Sequence, residues 1–108
     1  MSDTSAHLAL DALGHPTRRA IVEALRRGPV PVGELAEQLP SGRPNTSKHL
    51  RVLEGAGLVE HRAVGTRNLY SLAPEGAVVL QRWLVEQWDT ALDAFAAHVD
   101  RRKDEVQG

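Results

Sequence analysis

The hydrophobic period of this chain changes near residue 58, and that change governs what it can fold into. Before that point apolar residues recur at helical spacing. Val32, Leu35, Ala36 and Leu39 fall at i, i+3, i+4 and i+7, one face of a short amphipathic helix. From Leu58 to Ala63 and from Arg67 to Leu72 the chain can alternate faces instead. Val64, Gly65 and Thr66 lie between these runs, and Gly65 is free to take a positive φ. The stretch predicts a β-hairpin. Helical spacing returns after Pro74.

Three further helices surround that pattern on its N-terminal side. Ala6, Ala9, Leu10 and Leu13 share a face of a helix over about residues 4–13, ended by Gly14. Pro16 suits the first turn of a second, whose buried stripe is Ala20, Ile21, Ala24 and Leu25. Arg26 and Arg27 favour its C-terminal end, and Gly28 stops it. Pro29-Val30-Pro31 predicts a stiff connector. After the turn Pro40-Ser41-Gly42, a fourth helix spans about 43–56, capped by Ser41 or Gly42 and followed by Gly57. The last helix runs from Pro74 to about residue 100. The expected fold is mainly α with a small β-hairpin, in the order α-α-α-α-β-β-α. Two short helices joined by a tight turn and followed by a hairpin (a wing over about 58–72) make a winged helix-turn-helix. At 108 residues, the chain reads as a single domain, 1–108.

The chain has no cysteine, which excludes a disulfide framework, a thiolate metal site and a redox thiol. No apolar run approaches the roughly 20 residues of a membrane span. The N-terminus lacks a signal peptide's pattern, so the expected compartment is the cytoplasm. No paired carboxylates, nucleophile–base set or phosphate loop points to an enzyme.

Net charge is −1, from 13 Lys and Arg against 14 Asp and Glu, and taken alone it argues mildly against nucleic acid. Its distribution argues the other way. Residues 1–42 sum to −1, residues 43–70 to +3 and residues 71–108 to −3. A basic middle is the form a local electrostatic footprint takes. On the fourth helix Thr46, Leu50 and Leu53 face inward. At about 100° per residue, Lys48 lies nearly opposite Leu50, Asn45 and Val52 also point away, and His49 and Arg51 lie to either side. That face carries donors suited to base edges and phosphates. Arg43 and Ser47 lie in the half that enters a groove. Arg62 and Arg67 flank the hairpin turn, placed to straddle a phosphate or enter the adjoining minor groove. Taken singly, each would also fit an ordinary solvated surface.

Four segments together resemble the ArsR family of bacterial regulators, over about residues 8–100. His15-Pro16-Thr17-Arg18-Arg19-Ala20-Ile21-Val22-Glu23-Ala24-Leu25 is similar to its opening signature, and Gly33-Glu34-Leu35-Ala36-Glu37 to its positioning helix. Arg43-Pro44-Asn45-Thr46-Ser47-Lys48-His49-Leu50-Arg51-Val52-Leu53-Glu54-Gly55-Ala56-Gly57-Leu58-Val59 is similar to its recognition segment, and Gly65-Thr66-Arg67-Asn68-Leu69-Tyr70-Ser71-Leu72 to its wing. The resemblance implies a homodimeric repressor that binds an inverted-repeat operator in double-stranded DNA. It assigns Arg43, Asn45, Thr46, Ser47, Lys48, His49 and Arg51 to the DNA face, with Thr17 and Arg18 meeting the backbone. His49 is split between a DNA contact and an inward, structural position. Arg19 is expected in an internal ion pair. The family's cysteine-based soft-metal sensing is excluded here, and its zinc pattern on the last helix is absent, where Asp89, Asp93, His98 and Asp100 stand instead. No metal and no cofactor are expected, and a small-molecule inducer is left open.

On the last helix Leu84, Trp88, Leu92, Phe95 and Val99 are spaced like a coiled-coil seam. With Leu10 they predict a subunit interface. A core-facing helix in a monomer, or a ligand pocket around Trp83 and Trp88, would use the same residues. Gln87-Trp88-Asp89-Thr90-Ala91-Leu92-Asp93 resembles the metal-independent branch of the family. The competing reading of the whole chain is a winged-helix protein-interaction module that does not bind DNA.

Overall fold

The computed structural model describes the backbone of residues 2–40 and 42–107, and the side chains of 4–40 and 42–99. The chain runs α1 (Ser2–Ala12), α2 (Pro16–Ala24), β1 (Val30–Pro31), α3 (Val32–Gln38), α4 (Gly42–Gly55), β2 (Val59–Val64), β3 (Arg67–Leu72) and α5 (Pro74–Gln107). The expected mainly helical winged architecture forms, with one addition. Val30–Pro31 is not a connector but a strand, pairing antiparallel with β3 so that Val30 faces Tyr70 and Pro31 faces Leu69. The sheet order is β1-β3-β2. Two residues are too few to show alternation, and proline is tolerated there because an edge strand can spare its N–H.

The hairpin pairs β2 with β3 from Val59 opposite Leu72 to Val64 opposite Arg67. Gly65 has φ 62°, and no residue other than glycine has a positive φ among the described residues. Glycine at the first of two central positions fits a type II′ turn, whose twist matches that of the strands.

The α1–α2 junction is closed from the side of α2. His15 is extended at the N-cap, and its Nδ1 accepts the Thr17 backbone N–H at 3.1 Å. Arg18 donates from Nε to the Ala12 carbonyl and from Nη2 to that of Asp11. Arg19 donates to the Leu13 carbonyl at 2.8 Å, so its partner is a carbonyl rather than the expected carboxylate. The cause is local: the end of α1 leaves carbonyls without intrahelical donors, and two guanidiniums arrive beside them. Ser41, a candidate cap of α4, lies outside the described residues.

One apolar cluster joins α1 to α4 and the base of the hairpin. It includes Ile21, Leu25, Leu35, Leu50, Leu53, Leu58 and Val59. Each such side chain contributes about 1.5–3 kcal/mol when fully buried. α4 is therefore held by its inward stripe, leaving its opposite face outside. α1 lies along α5, with the His7 ring edge-on to Trp83 at 5.3 Å between centroids.

α5 continues to Gln107, beyond the expected end near residue 100. Arg101-Arg102-Lys103-Asp104-Glu105 are residues without a helix breaker, so the apolar pattern is not what sets its length. At 34 residues it is about 51 Å long. The radius of gyration is 19.6 Å, against about 13 Å for a compact chain of this size, because α5 projects from the body.

Candidate nucleic-acid interface

α4 divides into two faces. Thr46, Leu50 and Leu53 have no exposed surface. Arg43, Asn45, Lys48, Arg51 and Val52 are exposed, while Ser47 and His49 are half-buried. Thr46 requires a correction, since it cannot reach DNA from its buried position. Its hydroxyl donates to the Gly42 carbonyl at 2.7 Å. It lies one turn before Leu50, on the stripe that the core covers.

His49 is drawn toward α2. Its ring lies 4.6 Å from that of His15, tilted by 45°. Burial, then the neighbouring His15 and Arg18, hold its pKa below the ordinary histidine value. The ring contact ties α4 to the cap of α2. Thr17 is half-buried, its N–H taken by that cap. The Arg18 guanidinium, assigned above to the DNA backbone, is engaged as a clamp between α2 and the end of α1.

The wing supplies the second set of cations. Register places Arg62 and Arg67 on the same face of the hairpin, and both are exposed. Arg67 Nη2 donates to Glu34 Oε1 of α3 at 3.2 Å. A cleft of about 500 Å³ runs between α3 and the wing tip, lined among others by Glu34, Glu37, Arg43, Thr66, Arg67 and Asn68. The start of α4 and the tip of the wing thus border one cleft beside α3. On the other face of the hairpin, a 2.6 Å hydrogen bond joins His61 Nδ1 and Glu54 Oε2. The His61 ring also lies 5.2 Å from that of Tyr70. Burial, then Glu54, raises the Tyr70 pKa, with Arg51 opposing. These contacts fix β2 against the last turn of α4. Sequence reasoning missed Glu34, Glu54, His61 and Tyr70. A carboxylate in the first turn of α3 was the one visible signal, and it does not name its partner.

A helix-turn-helix domain family matches residues 13–62, from the end of α1 to Arg62 in the wing. The HTH-type transcriptional regulator Rv2034 of Mycobacterium tuberculosis is 47% identical over 98 residues, covering 91% of this chain and 92% of that protein. The crystal structure of the ArsR family transcriptional regulator RHA00566 matches with a TM-score of 0.74 at 31% identity, covering 82% of this chain and 91% of that one. This chain belongs to the ArsR family of transcriptional regulators. As an ArsR-family protein it is a DNA-binding transcriptional regulator and not an enzyme. A homodimeric winged helix-turn-helix DNA-binding domain of Mycobacterium bovis, Mb0332, matches at a TM-score of 0.65 and 27% identity, covering 78% of this chain and 80% of that one.

Within this ArsR-family chain the apolar stripe of α5 is turned outward. Trp88 is 64% exposed and Phe95 65%, with Leu84, Leu92 and, on α1, Leu10 also exposed; Val99 is half-buried. Among the described residues, no three His, Asp or Glu side chains converge to hold a metal ion, and no helix is long and apolar enough to cross a membrane.

Proposed function

We infer that the whole chain acts in the cytoplasm as one DNA-binding domain of a homodimeric repressor that occupies an inverted-repeat operator. The observation that carries this reading is the two-faced α4: a fully buried Thr46–Leu50–Leu53 stripe backs an exposed row of Arg43, Asn45, Lys48 and Arg51. Such a helix presents donors to the major groove, while Arg62 and Arg67 of the wing reach flanking phosphates. Two copies related by a two-fold axis would set their α4 helices about one DNA turn apart, roughly 34 Å.

α5 supports the two-fold assembly. A groove of about 480 Å³, lined by Leu13, Val22, Leu58, Leu80, Leu84 and Trp88 among others, opens between α2, the hairpin base and α5. The same chain carries the projecting stripe Leu92–Phe95–Val99. A groove and a stripe on one surface satisfy each other reciprocally in an isologous pair. A small-molecule inducer of apolar character would compete for this groove with the partner helix.

The test is binding of purified protein to a short random-sequence duplex, and selection of bound fragments from the source genome. Substituting Lys48 and Arg51 together by Ala should abolish selection and flatten the salt dependence of binding. Each phosphate left without its cation reduces the steepness of log K against log salt by about 0.9. A double variant that selects the same fragments with an unaltered slope would remove α4 from the interface.

A further inference from the structure

Arg67 is the wing cation nearest the turn, and in the free protein its charge is already answered. Its guanidinium meets the Glu34 carboxylate at 3.2 Å, with 60% and 55% of the two side chains exposed. Both face the cleft that Arg43 and Glu37 also line, so two cations and two carboxylates border one space. A DNA phosphate arriving at the wing offers Arg67 the same kind of charge-assisted acceptor that Glu34 offers. Arg67 cannot meet both with the same donor, and the exposed pair can exchange without disturbing the core.

We propose that Glu34 is an affinity-setting residue of DNA binding: a built-in competitor that holds the wing arginine Arg67 until a phosphate displaces it. The inference rests on the DNA-binding reading and adds a residue of opposite charge to its interface. Glu34 also lies in the first turn of α3, where the helix dipole favours a carboxylate. That local role would need no arginine at all. The two roles separate in a double-mutant cycle.

The variants are Glu34→Gln, Arg67→Gln and the pair, with Glu37→Gln as a control. Glu37 lines the same cleft, and no hydrogen bond or ion pair of its carboxylate is found among the described residues. Binding to a short random-sequence duplex is read by fluorescence anisotropy at low salt, with melting curves to establish that each variant folds. Glu34→Gln should tighten binding by about two- to fivefold for each wing that engages, the range an exposed pair supports. The gain should vanish in the Arg67→Gln background, and Glu37→Gln should give a smaller gain that survives there. Two results would overturn the proposal. Weaker or unchanged binding by folded Glu34→Gln would make Glu34 a support for Arg67 or a bystander. An undiminished gain without Arg67 would reduce it to general surface charge. Failure of the DNA-binding reading itself would show separately, as no binding by the unaltered protein.

Discussion

Gly76, in the first turn of α5, allows the sharpest quantitative test of this fold. A Cβ built there would lie 2.6 Å from the Ala56 carbonyl oxygen and from the carbon and oxygen of Gly57. All three are backbone atoms, so no flexible side chain can swing aside. Ordinary contact begins near 3.4 Å, so the start of α5 would have to retreat by about 0.8 Å. That retreat would stretch the 2.8 Å hydrogen bond from the Gly76 N–H to the Gly57 carbonyl. Overpacking costs about 1–3 kcal/mol and a weakened hydrogen bond about 0.5–1.5, while alanine's helix preference returns up to about 1; at mid-range the net loss is about 2.5 kcal/mol. At about 4–8 °C per kcal/mol, Gly76→Ala should lower Tm by roughly 10–20 °C. The internal control is Gly33→Ala. Gly33 also sits in the first turn of a helix, but its Cβ would meet nothing within 4 Å. There the same change should stabilise by about 0.5–1 kcal/mol. Circular dichroism melts at one fixed protein concentration compare the three chains. Gly76→Ala melting at or above the unaltered protein would refute the close approach of α5 to the α4–β2 turn.

Further outcomes follow from other parts of the molecule. Trp88→Glu with Phe95→Glu should give monomers in sedimentation velocity, and an unaltered dimer would reject α5 as the interface. The His49 pKa is lowered in the fold, so below the ordinary value of about 6.5 the unfolded chain takes up the proton first. Stability is therefore fully present above pH 6.5 and is lost as pH falls toward the lower folded value. His49→Gln should flatten that part of the stability–pH curve, and an unchanged curve would assign the effect elsewhere. Thr46→Ala should cost about 1–2 kcal/mol of stability from the missing hydrogen bond and methyl group. Its folded form should bind DNA as tightly as the parent, and a loss of affinity at full folding would return Thr46 to the interface.

Each helix was legible because it carries its own period. Ile21 with Leu25, and Leu50 with Leu53, announce buried faces without reference to anything else in the chain. The outward position of Lys48 and Arg51 then follows from angle alone. Thr46 shows angle and family resemblance in conflict: angle placed it inside, resemblance placed it on DNA, and the core decides for angle. What was not legible depends on distances between elements. Arg67 and Glu34 are 33 residues apart in sequence, and their meeting requires the wing to fold back over α3. The His15–His49 contact, the arginines closing α1 and the crowding at Gly76 are of the same kind. β1 escaped because two residues carry no period.

The three-stranded sheet has two free margins, and neither invites another strand. One is β1, only two residues long, where Pro31 lacks an N–H to offer. The other is β2, where Glu60 and Arg62 stand exposed along the margin. These margins disfavour edge-to-edge pairing of the wings of neighbouring copies. On the proposed reading, each wing would then probe its own stretch of DNA, and the number of copies in an assembly would be left to the helices.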